Sequence, residues 1–191
     1  MKTLRERFEE EYTAVSVPAD NKRGFNIVYK YYAPWYIWNF PEKKLAEVKK
    51  RILAMSVFSF ICYIGAGIQD TDINRNILPV IFEAVALCAQ VLELFGVFRF
   101  RLAKYKTDRM TYQSVDLILR TIPLARSLCL LMVIGTGLFC MDISKIDVAF
   151  IIALLGNLVS AVMSLKIFVE YKKIPLRTEK NNFLQKTEQV L

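Results

Sequence analysis

Glu83, Gln90, Glu93, Arg120 and Arg126 are the side chains of this sequence best placed to do chemistry, because they lie in or beside runs that are otherwise apolar. A charged group inside a membrane span costs ~2.5–3.5 kcal/mol on insertion scales, so it faces protein or water rather than lipid. On a helix turning 100° per residue, Gln90 falls about 20° from Glu83 and Glu93 about 80° from it, so all three share one flank. At ~1.5 Å rise per residue, Glu93 and Arg126 lie at one depth, roughly 8–12 Å from the basic ends of their segments, and are expected to pair. Such a pair serves either as a structural tie between helices or as a gate. Glu83 lies in the opposite half, with only Arg75 near its depth. It reads as a pore-lining, proton-linked or cation-binding carboxyl, or as a hydrogen-bonded Glu between helices. Arg120 shares a face with Asp116 and Ser127 at the start of its segment.

Other chemistries find little support. The chain has no His, and its four cysteines, Cys62, Cys88, Cys129 and Cys140, form no C-x-x-C. Zinc sites, redox dithiols and His-based catalytic dyads are therefore not expected. G-x-S-x-G, H-E-x-x-H and Walker-type loops do not occur. Asp70, Asp72, Asp142 and Asp147 fall in turns, where an aspartate caps helices, rather than within spans, where an aspartyl intramembrane protease would need them. The expectation is a non-enzyme with no cofactor and no metal.

The elements that position the charged residues are four apolar runs, roughly Ile52–Ile68, Ile77–Phe98, Ile118–Cys140 and Val148–Val169. Each approaches or exceeds the ~20 residues that a helix needs to cross a bilayer. The mean hydropathy of +0.31 and the 54% apolar content agree with an integral membrane protein. Helices are the expected spanning form, because lipid offers backbone groups no partners and the short alternating segments of a membrane barrel are missing. No cleavable signal peptide is expected.

Basic residues are distributed unevenly. Eleven Lys and Arg occur in residues 1–51, five in Arg99–Arg109 and five after Val169, against Arg75 and Lys145 alone in the other two turns. The positive-inside rule then puts both termini and the central loop in the cytoplasm, with a bacterial inner membrane as the expected location. The net charge of +8 is read as topology and attraction to anionic lipid, not as a nucleic-acid surface.

Residues 1–24 are expected to hold a short amphipathic helix over 3–15, with Leu4, Phe8, Tyr12 and Val15 on one stripe, then a turn rich in breakers. Residues 25–51 form an aromatic and basic interfacial segment. Trp35, Tyr36 and Trp38 are its expected headgroup anchors, with a partner-binding surface as the alternative. The remaining divisions are a hairpin over 52–98, a basic loop over 99–117, a second hairpin over 118–170 and a polar tail over 171–191. Pro123 is expected to kink the third span.

The two hairpins share a corner. Residues 64–73 and 134–143 both follow I-G-x-G-[I/L]-x-x-x-D-I at an offset of 70. This reads either as a tandem repeat or as convergence on glycine-rich helix ends. Gly65, Gly67, Gly135 and Gly137, together with Asn157, Ser160 and Ser164 on one arc of the fourth span, are expected to pack helices closely.

The expected fold is all-α and polytopic: four transmembrane helices in two in–out–in hairpins behind N-terminal amphipathic and interfacial helices. The leading functional expectation is a homo-oligomeric, channel-like membrane effector lined by Glu83, Gln90 and Glu93. The alternative is a scaffold or sensor subunit that recruits a cytosolic protein through residues 1–51, the 99–115 loop and the tail. A small secondary transporter is the third reading.

Overall fold

A computed structural model describes residues 4–20, 22, 24–140 and 147–180, apart from the side chains of Leu4, Arg7 and Asp72. Four helices carry the mass of the fold: α2 (Glu42–Gly67), α4 (Ile77–Leu102), α5 (Arg109–Cys140) and α6 (Val148–Lys172). All four are long and apolar enough to cross a membrane. They were legible because each run is uninterrupted and bounded by breakers or charge. Asp147 caps α6, its carboxylate accepting from the Phe150 amide at 2.8 Å. A single turn, α3 (Asp72–Arg75), joins the first hairpin. The matching corner at 141–146 lies outside the described residues, as do residues 181–191 of the polar tail and the start of the N-terminal helix at Thr3.

The helices form a closed ring in which α2 touches α6 and α4, and α5 touches α4 and α6. The 70-residue offset maps the α2–α6 contact onto the α5–α4 contact. It also maps Ser56 onto Arg126 and Gln90 onto Ser160, all four of them buried. Outward positions such as Phe58, Ile61, Val91, Leu128, Leu155 and Leu165 are exposed and apolar, as a lipid-facing surface requires.

The N-terminal region departs from the expected helices. After α1 (Leu4–Glu11) the chain turns to strand: β1 (Tyr12–Pro18) pairs antiparallel with β2 (Phe25–Tyr31), Tyr12 opposite Tyr31 and Pro18 opposite Phe25. Thr13, Val15 and Val17 are β-branched and alternate, which favours a pleated strand over a continued helix. Gly24 supports the turn with φ of +71°. The Phe8–Tyr12 stripe survives as a ring stack at 4.5 Å.

The expected aromatic anchor also folds differently. Strand β3 (Trp35–Trp38) lies at the centre of a three-stranded sheet between β4 (Lys106–Thr107) and β5 (Leu176–Glu179). Three segments far apart in sequence therefore meet over the basic end of the bundle. The expected loop 99–117 shrinks to the residues between α4 and α5, because both helices extend into it.

Trp38 is 2% exposed, against Phe100, Tyr112 and Tyr171 from three different helices. It is thus a core residue rather than a headgroup anchor, since large aromatics bury the most area per side chain. Tyr36 stacks on Tyr112 at 4.7 Å. Trp35 packs against Tyr31, ring centroids 4.6 Å apart, and so belongs to an aromatic cluster within the protein.

Candidate functional site

The polar centre of the bundle is assembled from all four long helices. Each helix presents one inward stripe: Ser56, Ser59 and Tyr63 from α2, Ala86, Gln90 and Glu93 from α4, Arg126 and Leu130 from α5, Asn157, Ser160 and Ser164 from α6. Helical spacing of three and four residues keeps each set on one face. The Arg126 guanidinium lies 3.5 Å from the Glu93 carboxylate, and neither side chain has any exposure.

Serines complete the pair. Arg126 Nη1 donates to Ser59 Oγ at 2.9 Å and to Ser164 Oγ at 2.7 Å, and Nη2 donates to Ser160 Oγ at 2.5 Å. Glu93 accepts from Ser56 at 3.1 Å through Oε1 and from the Ser164 hydroxyl through Oε2. Ser59 and Ser160 each donate to the other's backbone carbonyl at 3.1 Å, which ties α2 to α6. Ser164 therefore relays between cation and anion, accepting from Arg126 and donating to Glu93. A buried ion pair survives only if its remaining donors and acceptors are also satisfied, and these serines satisfy most of them.

A second polar level lies toward the α3 end. Tyr63 donates its hydroxyl to the Glu83 backbone carbonyl at 2.7 Å, and its ring lies 5.9 Å from the Arg126 guanidinium carbon. Glu83 is half-buried beside Asn157. Among the described residues, Glu83 Oε1, both amide atoms of Gln90, both of Asn157 and Arg126 Nε have no hydrogen-bond partner. Apolar layers close both sides. Ile52, Val97, Leu119 and Ile167 pack toward the basic end, and Ile73, Val133, Phe150 and Ala153 toward the other.

This arrangement joins some of the sequence-derived candidates and separates others. Glu93 and Arg126 come together, and Gln90, Asn157, Ser160 and Ser164 share their interior. Gln90 and Glu93 point into the chain's own bundle, so they do not line an axis between copies unless the bundle opens. Asn157, Ser160 and Ser164 likewise pack within the chain. Arg120 is apart: it is exposed and paired with Asp116 at 2.8 Å, one turn away on the same helix.

The glycine expectation divides in the same way. A Cβ at Gly65, Gly67 or Gly135 would meet nothing within 4 Å, whereas one at Gly137 would lie 2.8 Å from Ile73. The tight crossings are at Gly156, where a Cβ would lie 2.8 Å from the Cys62 carbonyl, and at Gly96, where a Cβ would run into the Ile118 side chain. Sequence reasoning passed over these two, as it did Ser56 and Ser59. The available signal was a Ser56-x-x-Ser59-x-x-x-Tyr63 stripe with helical spacing in an apolar run. Comparison of the chain with protein-family models, curated proteins and solved structures finds no match, so its function is read from these residues alone.

Proposed function

We propose that the protein is a non-enzymatic integral-membrane scaffold or sensor subunit that presents one folded platform to a soluble partner protein on the basic side of the membrane. The observation that carries this reading is the β3–β4–β5 sheet. It draws the segment before α2, the α4–α5 loop and the segment after α6 onto one buried tryptophan, Trp38. Segments serving only as topology signals would not need a shared core. The β1–β2 hairpin is joined to this platform by the Arg109 amide, which donates to the Tyr31 hydroxyl at 3.1 Å, and by the Arg109 guanidinium, which lies 4.0 Å from the Glu11 carboxylate. Phe25, Ile27 and Tyr29 lie on one face of the hairpin and stay 45%, 60% and 58% exposed. An exposed apolar face on a rigid support is a usual mark of a protein-binding surface.

The channel-like reading keeps one supporting observation, the partly unpaired polar interior at Gln90, Asn157 and Glu83. Conduction would require the flanking apolar layers to part. Proteoliposomes separate the two readings. The scaffold reading expects vesicles that stay tight to ions across pH and potential, and partner recovery in mild detergent that is lost when residues 1–31 are deleted. Ion flux that changes with Glu83→Gln would favour the channel.

A further inference from the structure

Lys49 is a buried cation that forms no ion pair among the described residues. Its side chain belongs to the inward face of α2, where it is 6% exposed. Its ammonium donates to the Ala103 carbonyl at 2.6 Å, at the end of α4, and lies 5.1 Å from the centre of the Phe100 ring. A helix C-terminus and an aromatic face both attract a cation, but neither neutralises one. Arg101 lines the same cavity and is close enough to repel Lys49. It has no hydrogen-bond or ion-pair partner among the described residues. Glu42 lines the cavity too, in the first turn of α2, and makes no ion pair with either cation. Tyr105 completes the rim. Two cations facing one small cavity, one of them buried, form an incomplete electrostatic arrangement. Burying a charge is costly unless it is paired.

We propose that this cavity, of about 250 Å³, binds one phosphate group between Lys49 and Arg101, and that the phosphate belongs to the headgroup of an anionic phospholipid. Phosphate oxygens match both donors: the Arg101 fork binds two of them and the Lys49 ammonium supplies a point charge. Three features favour lipid over a soluble phosphate. Lys49 lies three residues before the first apolar run, at the depth where headgroups meet protein. The cavity opens at the basic end of the bundle. Leu102, next to Arg101, is 81% exposed and offers a surface for an acyl chain. The site is independent of partner recruitment and differs from diffuse attraction to the basic face, because it takes one lipid at one place.

The test uses the full chain, purified in neutral detergent and supplied with phosphatidylglycerol, phosphatidylcholine or inorganic phosphate. Native mass spectrometry counts retained lipid, and thermal melting without additive confirms that each variant folds. The wild type is expected to retain one phosphatidylglycerol in preference to phosphatidylcholine. Lys49→Met and Arg101→Gln should each lower that retention roughly tenfold, the loss of one charge-assisted contact. The double variant Lys43→Gln/Lys44→Gln, which removes two exposed charges nearby, should leave it unchanged. Equal retention by the wild type and both cavity variants would overturn the site. A comparable loss in the Lys43/Lys44 variant would overturn it in favour of diffuse attraction. Melting raised by inorganic phosphate, dependent on Arg101 and without preference for phosphatidylglycerol, would keep the phosphate site and overturn its lipid source.

Discussion

Arg126 and Glu93 meet 3.5 Å apart at the centre of the bundle, and the serines that satisfy them come from the two helices that carry neither charge. One contact set thus fixes all four helices in register. Removing one partner strands the other in an apolar interior. Glu93→Leu and Arg126→Met should each destabilise the fold by ~3–5 kcal/mol, whereas the combined Glu93→Leu/Arg126→Met should recover most of that loss. Unfolding of the purified protein in mixed micelles measures the double-mutant cycle, and additive losses would remove the pair from its structural role.

The close helix crossings predict opposite outcomes for glycines that look alike in sequence. Gly156→Ala places a methyl 2.8 Å from a backbone carbonyl of α2, which cannot rotate away. Overpacking of this kind costs ~1–3 kcal/mol. Gly65→Ala and Gly135→Ala enter open space on helical backbone and should gain up to ~1 kcal/mol from helix propensity. Melting temperatures of the three variants decide the matter.

Trp38 holds the sheet to the bundle. Trp38→Ala should cost ~3–5 kcal/mol, as for other buried large aromatics. Because the protein has only two tryptophans, Trp35→Phe isolates the fluorescence of Trp38. That emission should resist both acrylamide and brominated lipid. Strong quenching by brominated lipid would restore Trp38 to the headgroup layer.

The hairpin should detach in alkali. Burial pushes the Tyr31 phenol up to about 12, from an ordinary value of 10.0. A folded-state pKa above the unfolded one contributes stability that is fully present below pH 10. That contribution is lost as pH rises toward 12, because the unfolded chain ionises first. Hydrogen exchange at β1 and β2 should therefore rise in this window. Tyr31→Phe should flatten the rise, and an unchanged profile would place the cause elsewhere.

The helical part of this fold was plain in the sequence because lipid and length act on every residue of a span in the same direction. The depth match of Glu93 and Arg126 followed from rise per residue alone. The strands were obscured because Phe25, Ile27, Tyr29 and Tyr31 suit a headgroup layer as well as one face of a hairpin. The three-stranded sheet joins residues as far apart as Tyr36 and Thr178, and no local periodicity reports such a pairing. Gly65 and Gly135 stood out through their repeated motif, while the glycines at helix crossings, Gly96 and Gly156, stood alone. Lys49 looked like one more basic residue at a helix start, and only the packing of α2 against the end of α4 shows it buried.

The platform is the central claim, and a photo-activated amino acid at Ile27 tests it most directly. In cells, irradiation should join the hairpin to one discrete soluble protein, and the same probe at lipid-facing Leu165 should give none. Lipid adducts alone at both positions, together with ion flux through reconstituted vesicles, would contradict the scaffold reading.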